Sequence, residues 1–228
     1  MSLSIKRMFD KIAPTYDLGN TILSFGIHFL WRKKTAKLAA LMPNSKILDC
    51  ATGTGELYIS FKSYYKDSTV IGIDFSKYML KIASNKLYKI NMQHLLIEGD
   101  MTQLPFNDNS FDVVTIAFGI RNADNVSSVL EEMARVLKPN GKIIILEFGQ
   151  PKIGIIEILY NFYCDCMIPI AKLILKDKGS YTYLIKTTRA FACREKFIKL
   201  MDETNSFKNC TYKTLSFGIS YLYIGTKK

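Results

Sequence analysis

The chain has 228 residues, 48% of them hydrophobic, which predicts one globular domain with a sizeable core. Lysine and arginine outnumber aspartate and glutamate by 31 to 20, a formal charge of +11 that suits anionic partners. The basic residues are spread along the chain and form no arginine-rich block or nucleic-acid-binding motif, so a nucleic-acid partner is not expected.

The rest of the composition favours an intracellular protein. The five cysteines are odd in number and include no CxxC pair, so reduced thiols and no metal site are predicted. The first residues, MSLSIKRMFDK, are charged where a secretory leader is apolar. The most apolar window, 153–175, contains Glu157, Asp165, Pro169 and Lys172, which argue against a transmembrane helix. We therefore expect a cytoplasmic protein.

The predicted elements follow the order of an α/β protein. Residues 1–42 contain two helix-like stretches, the second being HFLWRKKTAKLAALM. Four apolar runs then alternate with helix-like segments: KILDCA, TVIGID, HLLIEGD and FDVVTIAFG. A fifth run, GKIIILEFG, follows a predicted helix and turn, EEMARVLKPNG. Continuously apolar runs of this kind are typical of parallel strands covered by helices on both faces.

The later part of the chain has a different pattern. Residues 151–178 are predicted to form a long apolar helical insertion. REKFIKLMDETN then predicts a helix, and CTYKTLS and GISYLYIGTKK predict an antiparallel hairpin that closes the sheet. The chain is thus predicted to be a single α/β domain, residues 1–228, with a mostly parallel seven-stranded sheet.

The stretch ILDCATGTGEL, residues 47–57, predicts a strand, a small-residue turn and a helix, the arrangement that binds cofactors in doubly wound folds. Gly53 and Gly55 leave the approach to this turn open, although a turn that only packs helix against strand is about as plausible. Asp74 closes the second strand 19 residues after Gly55, where an acid can meet a ribose diol. A helix N-cap ahead of Ser76 is the alternative for Asp74.

Three further positions favour S-adenosylmethionine over a dinucleotide. Tyr58 stands where a GxGxxG loop has its third glycine. Asp49 begins the turn and suits the cationic amino-acid part of this cofactor, or else only holds the loop. Asp100 follows the third strand and could accept a hydrogen bond from the adenine amine, with the Met101 backbone beside it, or else cap a turn. Together these residues predict a class I, Rossmann-like S-adenosylmethionine-dependent methyltransferase.

The stretch FDKIAPTYDLGNTILSFGIHFLW, residues 9–31, closely resembles the N-terminal signature of the UbiE/MenG quinone C-methyltransferases. The residues that match are Tyr16, Asp17, Asn20, Ser24, His28 and Trp31. The glycine loop is similar too, with Ala51 in place of the first glycine and the family's Gly53, Thr54 and Gly55. LPFNDNSFDVVTIAFGIRN, RVLKPNGKIIILEF and SYTYL continue the resemblance over nearly the whole chain.

The chain departs from the family pattern at several positions. Gly19 stands where Met is usual, Asn140 replaces Gly, Gly149 replaces Ser and Glu56 replaces a common Asp. Ala117 occupies a position near the cofactor where members of the family often have Ser. A histidine usual near the C-terminus is missing from FGISYLYIGTKK. The substitutions bear on fine affinity rather than on the reaction, and the missing histidine matters only if that residue is functional.

The resemblance implies C-methylation of a polyprenylated quinol ring in menaquinone or ubiquinone biosynthesis, with demethylmenaquinol to menaquinol favoured. The same-class alternative is a methyltransferase for another small lipophilic acceptor, which the N-terminal signature argues against. The different-class alternative is a non-catalytic S-adenosylmethionine-binding module, which the retained acids argue against.

Methyl transfer to a ring carbon needs an aligned acceptor with phenolate character, which a cation or a base promotes. Arg121, after the fourth strand, could stabilise the phenolate oxygen or hold a water, or else form a structural ion pair. His28 could relay a proton, although a packed core histidine is somewhat more plausible. Tyr16 could cover the cofactor or form a hydrogen bond near the methyl group.

A prenyl tail needs an apolar channel, which the helical region 151–190 would supply unless it only caps the sheet. The N-terminal helices, residues 1–42, are expected to contribute to the site. Peripheral attachment to the inner face of an anionic membrane fits the basic charge. A homodimer is one candidate assembly.

Overall fold

The computed structural model of the chain describes residues 3–151, 154–175 and 179–228. Its strands are β1 (Lys46–Cys50), β2 (Thr69–Asp74), β3 (Leu95–Glu98), β4 (Phe111–Ala117), β5 (Leu137–Phe148), β6 (Phe207–Leu215) and β7 (Ser220–Lys227). The α-helices in the described ranges are α1 (Leu3–Ile12), α2 (Tyr16–Ser24), α3 (Ile27–Ala39), α4 (Glu56–Tyr64), α5 (Lys77–Lys89), α6 (Val126–Val136), α7 (Gly154–Leu175), α8 (Ser180–Ala190) and α9 (Glu195–Glu203).

The strands form one sheet in the order β3-β2-β1-β4-β5-β7-β6. Pairings among β1 to β5 are parallel, whereas β7 is antiparallel to both β5 and β6. The predicted sheet and its antiparallel final strands are therefore confirmed. The strand order reverses between β1 and β4, and in such sheets ligands bind beyond the carboxyl ends of the strands at that point.

Apolar side chains fill both faces of the sheet, which is why its parallel strands read as continuous apolar runs. Along β5, Ile143 and Ile145 point into one core cluster, whereas Ile144 and Leu146 point into the other. Helices α6 and α9 pack on the first face, and α3 and α4 pack on the second. The sheet thus lies between two layers of packed helices, and its carboxyl edge carries the loops.

The N-terminal segment contains three α-helices where the sequence predicted two. The break between α2 and α3 lies at Phe25 and Gly26, which both adopt left-handed backbone with φ of 47° and 76°. Glycine favours this conformation but phenylalanine does not, so the bend at Phe25 has no local sequence signal. As a result, α2 and α3 fold against each other.

Two strands contain irregularities. Residues 137–140 were predicted to continue a helix and turn, but α6 ends at Val136 and Leu137 pairs with Phe111 in the sheet. Leu137 is fully buried, so packing overrides the local turn preference of the residues that follow it. β6 shifts its register against β7 between Lys208 and Thr211.

Helix α7 coincides with most of the apolar window at 153–175. Across residues 3–151, 154–175 and 179–228, no helix combines the length and apolar character that crossing a bilayer requires. The prediction of a helix in the insertion agrees with the described part of α7, and its end at 176–178 lies outside the described residues.

Candidate active site

The glycine loop joins β1 to α4 at the carboxyl edge of the sheet. Gly53 and Gly55 have φ of 56° and 83°, values that side chains rarely allow. A Cβ atom on Gly55 would lie 3.3 Å from that of Ala83 on α5, so this glycine also permits close packing. A Cβ atom on Gly53 would meet nothing nearer than 4.0 Å, which leaves space above the loop.

Asp74 connects this loop to the end of β2. Its Oδ2 accepts a hydrogen bond from the Gly53 amide at 2.8 Å, and its Oδ1 accepts one from the Ser76 amide at 2.9 Å. Burial raises the pKa of Asp74 to about 6, although these N–H donors lower it. A helix N-cap was the alternative role predicted for Asp74. That cap is made instead by Ser76, whose hydroxyl accepts a hydrogen bond from the Met79 amide.

Asp49 is buried at the end of β1, and its Oδ2 accepts a hydrogen bond of 2.6 Å from the Thr52 hydroxyl. Burial raises the pKa of Asp49 to about 7, against the lowering effects of Thr52 and of nearby Arg32. A carboxyl group poised at this value gains its charge readily when a cation binds beside it. This property suits an ammonium-bearing ligand, but the bond to Thr52 also supports the loop-holding alternative.

Asp17 of the N-terminal signature ties α2 to the glycine loop. The Thr54 hydroxyl donates to Asp17 Oδ1 at 2.6 Å, and Lys86 Nζ on α5 lies 2.6 Å from Asp17 Oδ2. Lys86 also lies 2.5 Å from Glu56 Oε1, at the start of α4. The position of the N-terminal helices is therefore fixed partly by the loop itself.

A small cavity of about 40 Å³ lies beside the loop, lined in part by Tyr16, Gly53, Asp74 and Ala117. Four of the predicted site residues therefore meet at one place. The cavity has room for about one water molecule, so a nucleoside fits there only if surrounding side chains move. Its lining also includes Asn122, whose buried Oδ1 has no hydrogen-bond partner among the described residues and is available to a ligand.

Asp100 and Met101 lie next to this place but do not line the small cavity. The Gly99 amide donates a hydrogen bond to the Asp74 carbonyl at the end of β2. Asp100 is the next residue after Gly99 in the chain. Asp100 Oδ1 accepts from the amide and the hydroxyl of Thr102 at 2.9 and 2.8 Å, as in the predicted turn cap. Met101 is buried in the core. The adenine role of Asp100 remains a prediction.

A large cavity of about 650 Å³ opens next to the small one. Its walls come from α1, α2 and α3 on one side and from α7 and α8 on another, and most of the lining side chains are apolar. Phe9, Tyr16 and Phe118 line both cavities. The two spaces are therefore adjacent across these three aromatic side chains.

Arg121 lies in the wall of the large cavity. It forms a buried ion pair, which was the predicted alternative to a catalytic role. Its Nη1 lies 2.6 Å from Oε1 of Glu147, and their side chains are 5% and 0% exposed. Burial raises the pKa of Glu147, against the effect of the Arg121 guanidinium. The guanidinium also lies 5.3 Å from the centre of the Phe148 ring. The carboxylate of Glu147 and the ring of Phe148 thus hold the Arg121 guanidinium in one orientation.

His28 also lines the large cavity, and its buried Nδ1 lies 2.5 Å from the Ser24 hydroxyl. Burial and the nearby Arg32 cation lower the pKa of His28 to about 4, so the imidazole is neutral at physiological pH. A neutral imidazole can accept a proton but holds it weakly. Both the packed alternative and a relay role remain compatible with this placement.

Two residues of the site were not predicted from the sequence. Glu147 ends an apolar strand with an acid, the same signal that singled out Asp49 and Asp74. Arg32 follows His28 by four residues and so lies on the same face of α3. It belongs to a basic stretch, WRKK, in which the sequence alone does not distinguish buried from exposed residues, and it is only 6% exposed.

A family model for the ubiE/COQ5 methyltransferase family matches residues 2–227. The chain belongs to this family. It is 45% identical, over 98% of its length and 96% of the relative's, to "Ubiquinone/menaquinone biosynthesis C-methyltransferase UbiE" of Bdellovibrio bacteriovorus. It is 38% identical to "Demethylmenaquinone methyltransferase" of Thermus thermophilus, over 96% of this chain and all of that one.

Solved structures support the fold. A methyltransferase of Methanococcus maripaludis, described as S-adenosylmethionine-dependent, aligns with a TM-score of 0.69 at 20% identity, over 96% of this chain and 93% of that one. The predictions of the ubiE/COQ5 family, of the class I fold and of a methyltransferase are therefore confirmed.

Proposed function

We propose that this protein transfers the methyl group of S-adenosylmethionine to a ring carbon of a polyprenylated quinol in quinone biosynthesis. It is a methyltransferase by family membership, and S-adenosylmethionine is its methyl donor. The names of its relatives supply the quinone class of acceptor. Demethylmenaquinol is the favoured acceptor, and a methoxy-benzoquinol is the second candidate.

The observation that carries this proposal is the adjacency of the two cavities. The small one lies against a glycine loop with a buried acid, an acceptor that suits the hydroxyls of a ribose, and the large one is mostly apolar. Tyr16 and Phe118 belong to both, so a methyl donor beside the loop and an acceptor in the large cavity would meet across them. Alignment of the two reactants is the main contribution that an enzyme makes to such a transfer.

The residues that would hold the cofactor are those around the loop: Asp49, Gly53, Thr54, Gly55, Asp74, Asp100, Met101 and Ala117. When bound, S-adenosylmethionine supplies an electrophilic methyl group on a sulfonium. Asp74 would accept hydrogen bonds from the ribose hydroxyls, and its two existing N–H donors hold the carboxylate in place. Asn122 Oδ1 offers a further buried acceptor.

Arg121 would stabilise the oxygen of the acceptor as the ring gains phenolate character. A guanidinium keeps its proton, so Arg121 acts by charge or through a water rather than as the base. Glu147 and Phe148 fix its orientation at the cavity wall. His28, neutral at pH 7, would accept the proton. Tyr16, which lines both cavities, would cover the cofactor or form a hydrogen bond near the methyl group.

The direct test supplies the protein with isotopically labelled S-adenosylmethionine and, in separate reactions, prenylated demethyl-naphthoquinol and methoxy-benzoquinol. Mass spectrometry should find the label on a ring carbon of at least one product. The quinol proposal would be overturned if the label were found on an oxygen atom. It would also be overturned if neither quinol were labelled while another small lipophilic compound was methylated.

Asp74→Ala should weaken binding of S-adenosylmethionine by about 10- to 100-fold, because hydrogen bonds to a charged group contribute roughly 1.5–3 kcal/mol. Glu98→Ala is a matched control, because Glu98 pairs in register with Asp74 on the neighbouring strand β3. Among the described residues, Glu98 forms ion pairs with the surface lysines Lys6 and Lys77. Calorimetry on both variants measures the difference. Unchanged affinity in folded Asp74→Ala protein would refute the ribose assignment.

Peripheral membrane attachment is part of the proposal because the acceptor is a lipid. Exposed apolar side chains, including Phe25 and Phe162, lie on the elements that wall the large cavity, and α3 adds exposed Lys33, Lys34 and Lys37. We expect the protein to sediment with anionic but not neutral liposomes at low salt and to be released as salt rises. Equal binding to both lipids would show an apolar rather than an electrostatic contact.

We also infer that residues 1–228 act as one domain, with the N-terminal helices and the 151–190 region covering the site. We further propose that the protein is cytoplasmic, that it attaches to the inner face of the membrane, and that two copies form a homodimer. Sedimentation analysis with and without detergent tests the homodimer directly.

A further inference from the structure

Arg32 is a buried cation whose charge has no contacting counter-ion. The residue is 6% exposed, and its guanidinium carbon lies 4.9 Å from the centre of the Phe118 ring. Within the described ranges, its guanidinium donates one long hydrogen bond, of 3.4 Å, to the His28 carbonyl one turn earlier on α3. No described carboxylate oxygen forms a salt bridge with it within 4.0 Å.

The carboxylates whose charge acts on Arg32 bond to other groups. Asp17 accepts from Thr54 and pairs with Lys86. Glu56 pairs with the same lysine, and Asp49 accepts from the Thr52 hydroxyl. These carboxylates attract Arg32 over a longer range without touching it. A buried charge without a contacting partner is strongly destabilising, so a site of this kind is expected to receive an anion from a ligand.

The position of Arg32 indicates which anion. Arg32 lines the large cavity, and the Phe118 ring beneath it lines the small one as well. A cofactor whose ribose is held at Asp74 must extend toward this junction for its methyl group to face the large cavity. Its amino-acid part carries one ammonium and one carboxylate. Arg32 supplies a cation at this junction, and the buried carboxyl group of Asp49, which lines neither cavity, is among the acids whose charge acts on Arg32.

We propose that Arg32 binds the carboxylate of the amino-acid part of S-adenosylmethionine. This assignment rests on the proposed function, because it takes the cofactor from there. Arg32 and Asp49 together then recognise the zwitterion, and they would select the intact cofactor over nucleosides that lack this group. The planar guanidinium can donate two parallel hydrogen bonds to a carboxylate, a geometry that lysine does not reproduce.

The test is calorimetry with two ligands, S-adenosylhomocysteine and its decarboxylated analogue, which keeps the amine but lacks the carboxylate. The wild type should bind the first about 10- to 100-fold more tightly. Arg32→Gln should lose a similar factor for S-adenosylhomocysteine and almost nothing for the analogue. Lys33→Gln is the matched control, since it removes the same charge from the exposed neighbouring position and should change neither affinity.

Two results would overturn the proposal. One is equal affinity of the wild type for both ligands, which requires no variant to fold. The other is a folded Arg32→Gln protein that binds S-adenosylhomocysteine as the wild type does, the result expected if Arg32 instead meets the phenolate oxygen of the acceptor. Arg32→Lys, which keeps the charge, should lose an intermediate factor for S-adenosylhomocysteine alone. Failure of the wild type to bind either ligand would overturn the cofactor assignment itself, and this inference with it.

Discussion

Arg121→Ala is expected to lower the free energy of unfolding by about 3–5 kcal/mol and to slow methyl transfer per folded molecule about 100-fold or more. The first effect arises because Glu147, which is fully buried, would lose its counter-ion. The second arises because the phenolate would lose its cation. Melting temperature, cofactor affinity and single-turnover rate should be measured on the same preparation, with cofactor affinity nearly unchanged.

A second variant separates the two effects. Arg121→Ala combined with Glu147→Gln removes both charges, so most of the lost stability should return while the slow rate persists. Arg121→Lys should restore the rate only in part. Arg135→Ala is a control, because Arg135 also pairs with acids but lies outside both cavities and is one-third exposed. If Arg121→Ala turns over normally per folded molecule, the ion pair is structural and the catalytic role is wrong.

The stability loss in Arg121→Ala should depend on pH in a defined direction. Burial raises the pKa of Glu147 and the Arg121 guanidinium lowers it, so in Arg121→Ala this pKa lies further above its value in the unfolded chain than in the wild type. An acid with a raised pKa binds more protons when folded, so stability falls as pH rises above the unfolded value of about 4.3. The difference from wild type should therefore be larger at pH 7 than at pH 5.

The prenyl tail of the acceptor is expected to raise kcat/KM by about 100-fold or more over the same ring without a tail. Burial of one methylene contributes roughly 0.8 kcal/mol, so one five-carbon unit in the apolar cavity contributes up to about 4 kcal/mol. Because the tail is remote from the reacting carbon, the difference should appear mainly in KM. Steady-state kinetics with acceptors of increasing tail length would measure it.

Leu23→Trp tests where the tail lies. Leu23 lines the large cavity, and its carbonyl accepts a hydrogen bond from Tyr163 on α7. A bulkier side chain there should reduce the advantage of long tails. Leu95→Trp, at an exposed position on β3, is the control. Equal kcat/KM for tailed and tail-free acceptors in the wild type would refute the channel assignment.

Sequence patterns predicted the parts of this site that depend on local structure. Asp49 and Asp74 each close an apolar strand, and strand ends meet at one sheet edge, so their convergence could be foreseen. Glu147 carries the same signal but was not recognised, because the sequence does not say that Arg121 turns back toward β5.

The remaining residues depend on tertiary packing. Arg32 belongs to the basic run WRKK, and only the packing of α3 against α4 and β5 shows that it is buried while Lys33 is not. At the bend between α2 and α3, the left-handed backbone of Gly26 suits its residue type, whereas that of Phe25 has no signal in its residue type. Contacts between distant segments of this kind have no periodic signature in one sequence.

The two outer strands of the sheet bear on how copies of this protein can associate. An edge strand offers unpaired backbone groups to a neighbouring chain, and proteins limit this by shortening, bulging or charging such strands. β3 has only four residues, and β6 combines its register shift with exposed Lys208 and Lys213. Both edges are therefore poor templates for intermolecular β-pairing. Two copies that meet would therefore join through helical faces, and the protein should resist edge-to-edge aggregation even when it is concentrated.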